Sequence, residues 1–582
     1  MVNAYMNSLL IPSSSLAPEF SLPPISETAA NLSALLLGQE RAVDAFKLHH
    51  AIIDQQLYLA DYPGIDRQLM IQACVNSLAP LPAMYLVAPS QIDNAVKFQW
   101  QLEKPLDNQQ IITKKTTNYR YLSGNIRRVD LIGRMLQTGT TSQYQAGALA
   151  QCHYVFICAE SLWKRESLWD LVMQTLTHKQ YQISNTLSPI PLNCKIVLVG
   201  AGMIYSQVRT EDWQFQRHFT LLAELASEID LIRYKESQYV AWLQAVAQSI
   251  DVTLEQSSLA SLFSYSTRLT EHQRRLSLSM LEFAQLMAQA KAYSGKTSID
   301  ANSIEHALIQ ANYRHNSSEE YSGQSFDDNF INLPTSGAMV GQINGLTVID
   351  AIDYSYGEPA RITASVHYGD GEVADIERKS ELGGNIHAKG MMILSACLYR
   401  IFGRDAPLHL NANIVFEQSY QEIDGDSASL AEYCCLMSAI AEQPIIQSLA
   451  ITGALDQFGN VQAIGGINEK IEGFFNLCER RGLTGEQGVI MPKSNTLQLN
   501  LHPKVITAVG KGLFHIYAIE HMDQAVELLM QMPAGVADED NDFPHDSLYG
   551  LVQERLDKLA GNGEEEIGLI TRLLAKLGFF RR

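Results

Sequence analysis

Asp424-Gly425-Asp426-Ser427-Ala428-Ser429 is followed, 43 positions beyond its Ser427, by the lysine that closes Ile464-Gly465-Gly466-Ile467-Asn468-Glu469-Lys470. Each stretch is a small-residue turn that opens a helix. Ahead of the first, residues 408–416 alternate apolar and polar side chains, as a half-buried strand does. After it, Leu430, Cys434, Met437 and Ala441 recur at helical spacing. Ser427 is therefore expected at a helix N-terminus, where backbone N–H groups and the dipole favour a developing oxyanion. Residues 450–455 and 461–464 read as a hairpin around Asp456-Gln457-Phe458-Gly459-Asn460. A second helix then carries Ile467, Ile471, Phe474 and Cys478 on one face and stops at Gly482. Lys470 falls in its first turn, where a cation opposes the dipole and its pKa is expected to drop.

A serine hydroxyl is a poor nucleophile until a base takes its proton, and a desolvated lysine is such a base. Two turns that deliver one serine and one lysine to a common pocket would meet that need. Each motif alone is ordinary: Gly-Asp-Ser-Ala-Ser is a helix cap, and a lone helix lysine is usually a solvated charge. The first motif is also a near miss of Gly-x-Ser-x-Gly, with Ser429 in the last position. A hydrolase triad would then recruit Asp456 or Asp523 and His502, His515 or His521. The loop between strand and serine argues against that alternative.

The wider pattern resembles a known family. Val415-Phe416-Glu417-Gln418-Ser419-Tyr420, Asp424 to Ser429, Ile451-Thr452-Gly453, Gly459 and Ile464 to Lys470 keep the order and spacing of the proteolytic domain of Lon-type proteases. Gln342-Ile343-Asn344-Gly345-Leu346 and Leu382-Gly383-Gly384-Asn385-Ile386-His387-Ala388-Lys389-Gly390 fit the same domain. Asp-Gly-Asp-Ser-Ala-Ser is the form of the archaeal-type and Lon-like branch; ordinary bacterial Lon has Asp-Gly-Pro-Ser-Ala-Gly. The resemblance implies a serine endopeptidase with Ser427 as nucleophile and Lys470 as base, Thr452 and Asp424 lining the site. It also implies unfolded polypeptide substrates, a role in protein catabolism and a homohexameric ring.

The first half resembles an AAA+ module that has lost its nucleotide contacts. Leu37-Gly38-Gln39-Glu40-Arg41-Ala42-Val43 is similar to the opening of such a module. Where a Gly-x-x-x-x-Gly-Lys-Ser/Thr loop should follow, Asp66 replaces the second glycine, Arg67 the lysine and Gln68 the hydroxyl. A carboxylate repels phosphate, and its side chain blocks close backbone approach. Tyr154-Val155-Phe156-Ile157-Cys158-Ala159-Glu160 resembles a Walker B strand with Cys158 in place of the Mg²⁺-side aspartate. Lys195–Ala201 resembles a sensor strand without its polar end. Family members use ATP–Mg²⁺; no cofactor and no metal are expected here. The alternatives are an ATP-dependent protease with an unusual nucleotide site and a catalytically idle scaffold ring.

Composition sets the outer bounds. The chain has 582 residues, 46% hydrophobic and 18% charged, long enough for several buried cores. A net charge of −20 argues against nucleic acid as partner. Eight cysteines without a Cys-x-x-Cys indicate neither zinc site nor disulfide framework. No leader pattern and no membrane-length apolar run are present, so a cytoplasmic protein is expected. The expected architecture is an N-terminal extension (1–30), a degenerate AAA+-like α/β domain (31–235), a helical subdomain (236–315) and a linker (316–334). An α+β Lon-type proteolytic domain (335–533) follows, then an acidic linker and C-terminal helices (534–582).

Overall fold

A computed structural model describes residues 8–560, apart from 27–30, 80, 90–96, 104–108, 116, 139–140, 185–186, 353, 370, 404–407 and 420–422. The chain forms two compact units, one of Phe20–Thr270 with Arg274–Leu308, the other of Met1–Glu19, Glu271–Gln273 and Ile309–Arg582.

The first unit is built on a parallel sheet in the order Leu221–Glu224, Leu57–Asp61, Lys195–Ala201, Cys152–Cys158, Thr117–Leu122. Its central strands are continuous apolar runs because both faces are covered. Alternate residues feed different cores. Tyr154, Phe156, Val197 and Val199 pack with Phe46 and Trp242, while Val155, Ile157, Ile196 and Leu198 pack with Trp169 and Phe215. The stretch 236–315 is four helices, Glu236–Ser249, Ser258–Thr270, Met280–Ser294 and Ala301–His315, around Trp242, Phe263 and Phe283.

The second unit holds a mixed seven-stranded sheet, in the order Val373–Asp375, Leu410–Glu417, Ser355–Tyr368, Gln342–Asp350, Leu449–Ile451, Gly488–Pro492, His515–Ile519. Again neighbours on one strand split between faces: Ile451 and Ile490 join one core, Ala450 and Val489 the other. Leu410–Glu417 shows the expected alternation. In helix Ser429–Ala441 every residue but Ala439 is buried. Among the described residues no helix is long and apolar enough to cross a membrane, no group of His, Cys, Asp or Glu is arranged to hold a metal, and the cysteines are unbonded.

Four expectations need correction. Residues 316–334 contain a helix, Ser317–Asp327, rather than a linker throughout. Its polar composition hides two anchors, Phe326 and Leu333, which are buried against Phe474 and Phe475. Residues 8–19 are not a free extension: Ala518 N donates to Leu9 O at 2.8 Å, Ile11 N to Ile516 O at 2.9 Å, and Ile11 and Leu16 are buried. The second unit does not end at 533, because helix Leu548–Leu559 lays Leu548, Tyr549, Val552 and Leu556 into the core with Tyr433 and Met437. Ile567, Ile570, Leu573, Leu574 and Leu577 lie outside the described residues. The hairpin at 450–464 is shorter than expected: Leu449–Ile451 belongs to the large sheet, and only Ala454–Leu455 and Val461–Gln462 pair with each other.

Phe326→Ala tests the first correction. Loss of a buried aromatic should lower unfolding stability by about 3–5 kcal/mol in urea titration, whereas a side chain on a solvated linker would change it by no more than about 0.5 kcal/mol.

Candidate active site

Ser427 lies two residues ahead of helix Ser429–Ala441, whose N-cap is Ala428. The loop reaches it through Gly425 at φ 106°, a conformation open to glycine. Ser427 O accepts the amide of Gly453 at 2.9 Å, and Gly453 O accepts that of Leu430 at 3.2 Å, so the serine is bonded to the residue after Thr452. Ser429 contributes where sequence reading saw only a motif position. Its Oγ donates to Asp426 O at 2.8 Å and accepts Leu455 N at 3.0 Å, closing the turn. The amides of Ser429 and Leu430 are engaged with Asp426 O and Gly453 O. The first two amides of the helix are therefore not free to receive an anion.

Asp424 anchors this loop from a distance. Its Oδ1 accepts the amides of Ile386 at 3.1 Å and His387 at 3.3 Å, capping helix Asn385–Phe402, whose own N-cap Gly384 supplies no side chain. The Gly425 amide, together with those of His387 and Ile386, holds the Asp424 carboxyl below its usual range.

Lys470 sits on helix Ile467–Arg481, which leaves Gly466 at φ 64°. Its depth is fixed by a glycine contact: a Cβ on Gly357 would lie 1.9 Å from Glu469 O, and one on Gly473 2.0 Å from Gly357 O. The helix thus rests directly on strand Ser355–Tyr368. Lys470 is 4% exposed. Its Nζ lies 2.9 Å from Ser427 Oγ and 3.4 Å from Thr452 Oγ1. Thr452, fully buried, donates its hydroxyl to Ser427 O at 3.3 Å. Burial lowers the Lys470 pKa to about 8, against the opposing charge of Asp426. Both side chains line an open groove of about 820 Å³, with Val348, Arg361, Gly425 and Gly465 also on its walls.

The histidine alternatives are occupied elsewhere. His502 caps helix Pro503–Gly510, and the His515 ring bonds Gly485 O at 2.9 Å. His521 caps Met522–Met530 beside Asp523, and Asp456 closes a turn onto Phe458 and Asn460. The serine and lysine that the sequence singles out are the pair brought together.

At the carboxyl edge of the parallel sheet, where such folds take ligands, the first unit holds its own arginine. Arg67 Nε lies 2.5 Å from Asp61 Oδ2, Nη2 3.1 Å from Glu160 Oε1, and Nη1 3.3 Å from Cys158 Sγ. Asp66 turns to cap helix Arg67–Asn76 through Leu69 N. Glu160 also accepts the Ala201 amide at 2.8 Å. Burial would raise the Glu160 carboxyl, but that amide and Arg67 outweigh it and hold it at about 2. Arg67 thereby links the ends of three adjacent strands. Sequence reading identified the missing contacts and overlooked this inward turn; Asp61, six residues before Arg67, was the available signal.

Comparison with known proteins places both units. Residues 107–226 match the LonB-like AAA domain, residues 253–314 the archaeal LonB AAA+ ATPase LID domain, and residues 408–532 the Lon protease (S16) C-terminal proteolytic domain. A putative Lon protease homolog of Haemophilus influenzae is 38% identical over 417 residues, 69% of each chain. One from Escherichia coli is 33% identical over 410 residues, 68% of this chain and 69% of the relative. An archaeal Lon protease of Archaeoglobus fulgidus is 23% identical over 432 residues, 70% of this chain and 66% of the relative.

A lysine whose folded pKa is depressed disfavours folding fully below about pH 8, and the penalty fades as pH rises toward the unfolded value. Lys470→Met should therefore stabilise the protein at pH 7, by up to about 3 kcal/mol. The gain should shrink to near zero above about pH 10. Denaturant titrations at the two pH values check this, and an equal gain at both would contradict the burial argument.

Proposed function

The chain belongs to the Lon proteases and is a serine endopeptidase of that type, and on this footing we propose that Ser427 is its nucleophile and Lys470 its general base. The observation that carries the reading is the 2.9 Å approach of a buried amine to Ser427 Oγ. With a pKa of about 8, roughly a tenth of the Lys470 side chains are neutral at pH 7. The neutral amine takes the hydroxyl proton as Oγ adds to the scissile carbonyl. The carbonyl oxygen becomes an oxyanion, which amides at and just after Ser427 receive. The Lys470 ammonium then protonates the leaving amine, an acyl-enzyme on Ser427 remains, and water completes hydrolysis by the reverse proton path. Thr452 keeps the amine aimed at Oγ, and Asp424 holds the loop against helix Asn385–Phe402.

The reading extends to unfolded or unstructured polypeptides as substrates, to a homohexameric ring, and to cleavage without ATP hydrolysis. Support for the last point is Arg67, whose guanidinium sits among Asp61, Cys158 and Glu160 where a nucleotide would bring phosphate and Mg²⁺. Phosphate would have to displace a charge-assisted pair and then face Asp66. An idle scaffold would have no use for an amine buried next to a serine, because burying the amine destabilises the fold at neutral pH and a purely structural role does not require it.

Ser427→Ala and Lys470→Ala should each abolish hydrolysis of a fluorogenic peptide, and the double variant should match either single one, since members of a catalytic unit are non-additive. From acid pH, activity should climb through about pH 8 as Lys470 loses its proton. Near-native turnover by Lys470→Ala would end the assignment.

Calorimetric titration of ATP–Mg²⁺ should give no saturable heat, and casein digestion should proceed equally with and without nucleotide. Saturable binding together with ATP-stimulated digestion of a folded substrate would overturn ATP independence.

A further inference from the structure

Beneath the Ser427 loop lies a charged cluster that peptide cleavage, as derived above, leaves unused. His387 (1% exposed), Asp375 (7%), Glu377 (3%) and Glu432 (1%) come from three segments. Asp375 caps the short helix Ile376–Lys379, which contains Glu377; His387 is in the first turn of Asn385–Phe402; Glu432 is in Ser429–Ala441. His387 Nε2 is 3.1 Å from Asp375 Oδ2 and 3.8 Å from Glu432 Oε1. These atoms are at ion-pair distance and find no other hydrogen-bond partner, an arrangement that a protonated ring holds together by charge. The remaining contacts fix the frame: Asp375 Oδ1 accepts Glu377 N at 3.0 Å, Glu377 Oε1 accepts Phe416 N at 2.7 Å, and the Phe416 ring stands edge-on to His387.

The position of the cluster gives it a purpose. The backbone amide of His387 is one of the donors that hold Asp424, three residues before Ser427. Glu432 lies in the first turn of the helix that Ser427 precedes, its amide bonded to Ala428 O at 2.9 Å. The ring therefore joins both supports of the nucleophile loop. Resting on the Ser427–Lys470 reading, we propose that His387 is a positioning residue for peptide cleavage: its imidazolium ties Asp375 and Glu432 together under the loop, and loss of that charge releases Ser427 from its line to Lys470.

The groups facing the ring give the pH sign. Burial works against the charged ring, but Asp375, Glu432 and Glu377 outweigh it and raise the His387 pKa; the imidazolium in turn draws Asp424 down. Burial pushes Glu432 up to about 7, with Asp375 and Glu377 adding to the rise and His387 offsetting part of it. Both His387 and Glu432 are thus shifted upward. On the acid side the ring is charged while Glu432 becomes neutral; the tie through the imidazolium is lost as pH rises through the raised folded value of His387. Lys470 acts in the opposite sense, gaining competence as pH rises. Their product is a bell-shaped profile, with apparent pKa values belonging to coupled groups.

The test is kcat and KM against pH on an unstructured fluorogenic peptide, using the full chain and the variants His387→Gln, Glu432→Gln and the double. His387→Gln should lose at least tenfold in kcat, keep KM within twofold, and lose the alkaline limb while keeping the rise set by Lys470. Adding Glu432→Gln removes the buried carboxyl that, without the imidazolium, would ionise uncompensated as pH rises, and should return most of the lost kcat without restoring the limb. Native kcat in His387→Gln, or an unchanged alkaline limb, overturns the proposal. So does a double variant no better than His387→Gln with a matching fall in Tm, which would assign the ring to folding alone. Residual cleavage by Ser427→Ala would instead sink the dyad reading, so the two failures are separable.

Discussion

Keeping one ammonium-bearing side chain out of water is the constraint on which the second unit turns. A lysine at 4% exposure is tolerated only where the surrounding backbone is too close-packed to let it swing back to solvent. Gly357 and Gly473 provide that closeness, since any side chain at either would push helix Ile467–Arg481 off the strand beneath. The polar partners within reach of Nζ are the Ser427 and Thr452 hydroxyls, at 2.9 and 3.4 Å, and both are neutral acceptors that leave the amine easy to deprotonate. Strand, glycines, helix and loop serve one electrostatic condition.

The two sheets solve a common packing problem in different ways. In each, successive residues of the central strands go to opposite cores, so a strand buried on both faces has no solvent side on which to carry a functional group. Chemistry is therefore confined to strand ends. Thr452 follows the end of Leu449–Ile451, and Glu160 follows Cys152–Cys158. At one such end a serine and a lysine meet; at the other an arginine closes the space.

Much of this was legible in the sequence, for reasons that are local. The alternation in Leu410–Glu417, the glycine stop at Gly482 and the turn residues before Ser427 and Lys470 each follow from short-range sterics and periodicity. Contacts made across long sequence separations were not legible. Composition cannot reveal that Phe326 anchors a polar helix and Leu333 the stretch of chain after it, nor that residues 8–19 join the edge of a sheet ending at Ile519. The resemblance puts Asp424 on the lining of the site, but that it caps a helix some forty residues earlier is a fact of topology. Arg67 was read for the lysine it lacks, not for the carboxylates it finds. His387 was quoted within a motif and given no task, since nothing nearby in sequence shows its acidic surroundings.

Helix Ser429–Ala441, buried along nearly its whole length, is covered in part by Leu548–Leu559, while the far sheet edge is completed by residues 9–11. During synthesis the N-terminal segment thus emerges long before its partner strand, and the covering helix emerges long after Ser427 and Lys470. Contacts of such separation form slowly. Until they do, the apolar flank of the Ser429 helix that Leu548–Leu559 covers stays wet. A nascent chain therefore carries Ser427 and Lys470 before the last contacts on this sheet and helix can form.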